Sequence, residues 1–187
     1  MASEIMPPPA LAALLEPGET VTWLAQPRPY VYLVRGLPAI AYGTTWSVLG
    51  AYWYRGSGGI GNLSAFEGWW RLVPLLSVPF ILAGFSFFLA PIRLGAQARR
   101  TWYVVTNRRV LIAELPAHKP PKFRVFSPHE LAPPLAVKRM DGLHNLILTH
   151  RAQEQWPHLY PRLEDAFFGL EDTEVAITAI SKFQTPN

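Results

Sequence analysis

The stretch Leu72 to Ile92, LVPLLSVPFILAGFSFFLAPI, lies between Arg71 and Arg93 and contains no charged residue. As a helix its 21 residues rise about 1.5 Å each, roughly 31 Å in all, which matches the hydrocarbon thickness of a bilayer. The spacing predicts a transmembrane helix. Pro74 and Pro79 remove two backbone donors inside it, a kink that bilayer helices tolerate.

A second uncharged run, Gly36 to Tyr54, is 19 residues long and less apolar, with Pro38, Thr44, Thr45 and Ser47 inside it. Tyr52, Trp53 and Tyr54 stand beside Arg55 where an interfacial aromatic belt would sit, and Trp69 and Trp70 form the matching belt at the other span. Arg55 to Arg71 joins the two through Gly56, Gly58, Gly59 and Gly61, a flexible connection. Five arginines (Arg28, Arg35, Arg93, Arg99, Arg100) lie on the terminal side of this hairpin against two, Arg55 and Arg71, in its loop. Positive charge therefore predicts both termini in the cytoplasm and the loop outside. The opening MASEIMPPPA has Glu4 and a proline run where a cleavable signal would carry basic residues and an apolar core.

The remaining chain has a different composition. Residues 94–187 carry 12 Lys and Arg against 9 Asp and Glu, as a water-soluble domain does. The basic residues are scattered, so a pI near 9.6 does not mark a nucleic-acid surface, which needs a basic patch. Without cysteine there is no disulfide framework, thiolate metal site or cysteine nucleophile.

Short elements are legible on either side of the hairpin. Ala10 to Leu15 reads as a helix ended by Pro17-Gly18, and Glu19 to Gln26 as a strand. Thr101 to Thr106 and Val110 to Glu114 form a hairpin around Asn107-Arg108-Arg109, followed by a strand at Lys122 to Phe126. Leu135 to Met140 and Leu143 to Thr149 flank Asp141-Gly142, which suits a type I′ turn. A polar segment leads to Ala166 to Leu170. Asp172 then caps a helix, Thr173 to Phe183, whose Val175, Ala176, Ala179, Ile180 and Phe183 make one apolar stripe for covering a sheet.

The run Trp102 to Ile112, WYVVTNRRVLI, resembles the hairpin of bacterial pleckstrin-homology-like domains, which carry Tyr-x-x-Thr-Asn-x-Arg there. Leu15 to Pro27, LEPGETVTWLAQP, is similar to the opening Pro-Gly-Glu followed by Trp and Pro of that family. Phe167 to Val175, FFGLEDTEV, resembles its Phe-x-Gly-Ile-x-Asp segment, and Asp141-Gly142 occupies the expected turn. The resemblance covers most of residues 15–26 and 98–184. It implies a membrane α+β protein: a transmembrane helical hairpin plus an antiparallel sheet or partly open barrel capped by a C-terminal α-helix. Three segments follow: a cytoplasmic N-terminal part (1–29), the hairpin (30–93, spans at 36–54 and 72–92) and a cytoplasmic domain (94–187). Whether residues 19–26 join that domain's sheet stays open at this point.

Catalytic chemistry has no visible constellation. His118, His129, His144, His150 and His158 show no metal-binding spacing, there is no Gly-x-Ser-x-Gly elbow, and no cofactor or small-molecule substrate is evident. Lys119, Lys122, Arg124, Arg108 and Arg109 are candidates for anionic headgroup or partner contacts, each charge near a membrane adding about 1 kcal/mol; solubility alone also accounts for them. Asn107 suits a left-handed turn position, and Arg109 a carboxylate across the sheet. The expectation is a non-enzymatic module that binds a protein partner, a second copy of itself or anionic lipid headgroups. The alternative is an accessory subunit of a larger membrane complex, packed through Gly43, Thr44, Thr45, Ser47 and Gly50.

Overall fold

The computed structural model describes residues 7–58, 68–117, 119–156 and 162–184. Gly59, Gly61, His118 and His158, and the side chains of Trp69 and Trp70, lie outside what is described. The chain divides into two compact units, Met1–Val31 with Ala96–Asn187, and Tyr32–Gly95.

The first unit begins with α1 (Pro9–Ala12) and β1 (Val21–Ala25). After the second unit it continues with β2 (Thr101–Thr106), β3 (Val110–Glu114), β4 (Lys122–Phe126), β5 (Leu131–Lys138), β6 (His144–Thr149), a short helix (His150–Gln155), β7 (Ala166–Leu170) and a terminal helix (Glu174–Gln184). Two antiparallel sheets result, ordered β1-β2-β3-β4 and β5-β6-β7. The segment at 19–26 does join the first sheet: β1 pairs with β2, Val21 opposite Thr106 and Ala25 opposite Tyr103. Local sequence cannot show this, because the partners are separated by the whole of the second unit.

Alternation along the strands divides their side chains between two cores. Tyr103 and Val105 of β2, Val110 and Ile112 of β3, Leu146 and Leu148 of β6 and Phe167 of β7 meet Ala176 and Ile180 of the terminal helix. On the opposite face Val104, Leu111 and Ala113 are buried with Leu11 of α1, and Leu14, Leu24 and Trp102 pack around them. The terminal helix thus covers apolar sheet surface as its stripe predicts, and Asp172 Oδ1 accepts from the Glu174 N–H at 3.0 Å.

Local expectations change in three places. The Asp141-Gly142 turn is not type I′, since only Gly142 has positive φ (+83°). The Gly142 N–H donates to Arg139 O at 3.2 Å and the Arg139 N–H to Leu143 O at 2.8 Å, a three-residue loop with glycine in its left-handed place. Strand β5 begins at Leu131 rather than Leu135 and contains Pro133-Pro134, tolerated because its register slips between Leu131 and Leu135. His150 to Gln155, in the stretch expected as a polar connection, forms a short helix, with Thr149 Oγ1 accepting from the Ala152 N–H at 3.3 Å.

The second unit is helical. The helix α2 (Pro29–Gly56), 28 residues long, enters it. A 3-10 segment (Gly68–Leu76) then leads into α3 (Ser77–Phe88) and α4 (Ala90–Ala98). Residues 72–76 are therefore 3-10 rather than α-helical: Pro74 and Pro79 cannot donate to the i→i−4 ladder. The helix instead runs on past Arg93 to Ala98. Among the described residues one helix, Pro74–Ala98, is long and apolar enough to cross a membrane. The sequence led to an expectation of two; α2 has the length but more polar and aromatic content.

Gly36, Gly43 and Gly50 recur every seven residues and form the seam of an antiparallel hairpin. A Cβ on Gly36 would come within 2.6 Å of Pro91 Cα, on Gly43 within 2.8 Å of Gly84 O, and on Gly50 within 2.8 Å of Ile81 Cγ1. Trp46 stacks on Phe80 with ring centroids 5.4 Å apart. The hydroxyls of Thr44 and Thr45 donate to the Ile40 and Ala41 carbonyls of their own helix. Glycine, Gly84 O and Ser47 thus meet within the hairpin, which occupies much of the face expected to bind a larger complex.

Candidate functional site

Two of the motifs singled out in the sequence, Glu16 to Glu19 and Thr106 to Arg109, converge on the turn between β2 and β3. Glu16-Pro17-Gly18-Glu19 makes a tight turn, the Glu19 N–H donating to Glu16 O at 2.9 Å. Proline holds the second position and Gly18, at φ +77°, the third, where a type II turn needs a left-handed residue. The turn delivers the Glu19 side chain to Arg109. Arg109 Nε donates to Oε1 at 2.9 Å and Nη2 to Oε2 at 2.8 Å, while Nη2 also donates to Leu14 O at 3.0 Å.

The Glu19 side chain has no solvent exposure and that of Arg109 retains 19%. Burial by itself raises the Glu19 carboxyl. Hydrogen bonds from Arg109, the Glu16 N–H and Thr106, with the Arg109 charge, outweigh it and hold the group below its ordinary value. The same hydrogen bond raises Arg109 further. A buried carboxylate and a part-buried guanidinium satisfied on this many sides form a structural lock, since removing the guanidinium would leave the Glu19 charge unsolvated.

The other motif residues serve the same junction. Thr106 Oγ1 lies 2.8 Å from both Glu19 Oε1 and Arg109 O and accepts from the Arg109 N–H at 2.9 Å. Asn107 is not left-handed, because no residue other than glycine has positive φ among the described residues. It bonds across the sheet instead: its N–H donates to Thr20 O at 3.0 Å and its Oδ1 accepts from the Thr20 N–H at 3.0 Å. Tyr103 stacks on Phe167 at 4.5 Å, and its hydroxyl oxygen accepts from the Phe168 N–H at 3.0 Å, tying the two sheets together.

The five candidate contact residues do not form one patch. Arg108 faces Glu16 at 3.6 Å, and Arg109 is held by Glu19. Arg124, on β4, pairs with Asp165 at 3.1 Å and lies over the Phe126 ring at 5.2 Å. Lys119 and Lys122 are exposed, and neither makes an ion pair among the described residues.

Sequence reading missed an open cleft of about 410 Å³ beside β1 and β7, lined by Trp23, Gln26, Arg28, Gly169, Glu171 and Asp172. Arg28 pairs with Glu171 across it, and Gln26 Nε2 donates to Arg99 O at 3.2 Å. Its polar groups therefore bind one another rather than converge on a shared point. Nearby, Tyr30 donates to Asp141 Oδ2 at 2.9 Å. No three His, Asp or Glu side chains come together to hold a metal ion among the described residues. No family model, curated protein or solved structure matches this chain.

Proposed function

We propose that this chain is a non-enzymatic bacterial inner-membrane module, a transmembrane hairpin carrying a cytoplasmic pleckstrin-homology-like domain that binds a protein partner. The observation that carries the membrane part is exposed apolar surface in the second unit. Only 17% of the most apolar window of Pro74–Ala98 is buried, and Tyr42, Val48, Leu82, Phe85 and Ile92 are all exposed. Water would penalise so continuous an apolar surface, and hydrocarbon would not. Tyr52, Trp53 and Tyr54, also exposed, suit the headgroup level beside Arg55.

A four-strand meander, a three-strand meander and a terminal helix over their shared core support the pleckstrin-homology-like plan. The binding role is supported by what the motif residues do. Tyr103, Thr106, Asn107 and Arg109 all hold the fold together, so the domain offers a rigid surface rather than a reacting group. Anionic lipid headgroups are the second reading, favoured by the exposed Lys119 and Lys122.

Two measurements test the proposal. The protein should resist extraction by alkaline carbonate, with tags at both termini accessible only from the cytoplasm. Release by carbonate, or cytoplasmic labelling at Ser57, would overturn the membrane assignment. Cross-linking in intact membranes, then purification in mild detergent, should retain a defined protein partner. A monodisperse monomer without one would count against partner binding.

A further inference from the structure

We propose that the outer edge of β4, Lys122–Phe126, receives an extended segment of a partner protein as an added strand, one that alternates acidic and apolar residues. The inference rests on the partner-binding reading and assigns it a place. Among the described residues β4 ends the first sheet, and its one strand neighbour is β3. The next strand in the chain, β5, belongs to the other sheet, and its Pro133 and Pro134 have no N–H to donate. The main-chain groups on the outer side of β4 are thus left as a template for another strand.

The side chains define what that strand must carry. Along β4, Lys122 and Arg124 project to one side and Phe123 and Val125 to the other. Phe123 is 55% exposed and Val125 37%. Their neighbours on β3, Ala113 and Leu111, stand opposite them and are buried with Leu11, so the cover on this face stops one strand short of the edge. On the other side Lys122 has no ion pair among the described residues, and Lys119 adds a second exposed charge close by in the chain. Arg124 on that side is already paired with Asp165 at 3.1 Å, so an edge strand whose two faces differ in this way fits a partner with a carboxylate toward Lys122 and apolar residues toward Phe123 and Val125.

Two other occupants fit less well. A membrane surface would meet one face of the strand and leave the other idle. A second copy pairing antiparallel about Arg124 would set Arg124 against Arg124 and Lys122 against Phe126, and like charges directly opposite are unfavourable.

The test uses the full-length protein in detergent micelles and a fluorescein-labelled heptapeptide alternating Glu and Val, followed by fluorescence anisotropy. Saturable binding is expected, weakened roughly five- to tenfold by Lys122→Glu, the scale of exchanging a favourable cross-strand charge pair for a repulsive one. Circular dichroism checks that this surface variant keeps its fold. Two N-methylated forms of the peptide, blocked at alternate residues, identify main-chain pairing. One should lose binding and the other keep it, because only alternate N–H groups of a strand point at its neighbour. Equal binding of both forms, or no saturable binding, would overturn the assignment. If the peptide fails while the intact protein still retains a cross-linked partner, the edge assignment falls and the partner reading stands. If vesicles containing phosphatidylserine bind in a Lys122-dependent way and the peptide does not, the edge belongs to lipid and the proposal is wrong.

Discussion

Glu19 and Arg109, 90 positions apart in the chain, meet in a two-point ion pair whose N···O distances are 2.8 and 2.9 Å. The pair joins the turn before β1 to the turn between β2 and β3, so the strand that precedes the helical unit is locked to the strands that follow it. Glu19→Gln leaves Arg109, 19% exposed, with Glu16 at 3.4 Å as its remaining charged partner, and should lower stability by about 2 kcal/mol. Chemical denaturation in detergent, read by tryptophan fluorescence, measures this. Adding Arg109→Met should recover part of the loss, since no under-paired charge then remains. Strict additivity of the two changes would contradict the lock.

The same pair sets a pH dependence. The folded state holds the Glu19 carboxyl below its ordinary value, so the fold binds that proton less tightly than the unfolded chain does. Its contribution is complete above the unfolded pKa and disappears as pH falls through the lower folded value. Stability measured from neutral pH down through the carboxylate range should decline less steeply in Glu19→Gln than in the natural sequence. Parallel curves would show that other carboxylates set the acid limit.

The glycine seam predicts a sharp positional effect. At Gly84 a Cβ would sit 2.7 Å from Gly43 O, whereas at Gly56 it would meet nothing within 4 Å. Gly84→Leu should separate the helices, and Gly56→Ala should not. The protein has no native cysteine, so Tyr42→Cys with Phe87→Cys, at positions whose rings lie 6.5 Å apart, reports the packing through a short thiol cross-linker. Cross-linking should be efficient, survive Gly56→Ala and be lost with Gly84→Leu.

Two left-handed glycines separate backbone strain from crowding. Gly142, at φ +83°, has open space around it, so Gly142→Ala should cost about 1 kcal/mol from conformation alone. Gly169 has φ +68°, and its Cβ would lie 2.7 Å from Val31 Cγ2. Gly169→Ala should cost clearly more, about 2–3 kcal/mol. Equal losses in denaturation would mean that Val31 moves aside freely.

Tyr103→Phe tests the link between the sheets. It keeps the ring on Phe167 but removes the acceptor of the buried Phe168 N–H, at a cost of about 1–2 kcal/mol. Amide exchange at Phe168 should quicken with it. Unchanged protection there would assign the tyrosine to packing only.

Much of this architecture was legible because its signals are local. The strands Thr101–Thr106, Val110–Glu114, Lys122–Phe126 and Ala166–Leu170 stand where β-branched and aromatic runs put them, and the terminal helix follows its apolar stripe. The short helix His150–Gln155 was not legible: HRAQEQ has no apolar periodicity, and the Thr149 cap and tertiary packing hold it. Asn107 was misread for a related reason. A turn asparagine ordinarily suggests a left-handed backbone, but here the distant Thr20 supplies its hydrogen bonds.

Sequence alone determined that the chain carries long uncharged apolar runs and that its second half alternates as strands; for Arg109 it left a carboxylate partner, a headgroup contact and plain solubility all open. Those properties follow from transfer free energy and backbone period, which act over a few residues. Only the tertiary structure decided that Glu19 is the partner of Arg109, that β1 closes onto β2 across the helical unit, and that among the described residues β4 is an edge strand with unlike faces. Each of these depends on which distant groups are brought within bonding distance, and no local pattern in the chain encodes that choice.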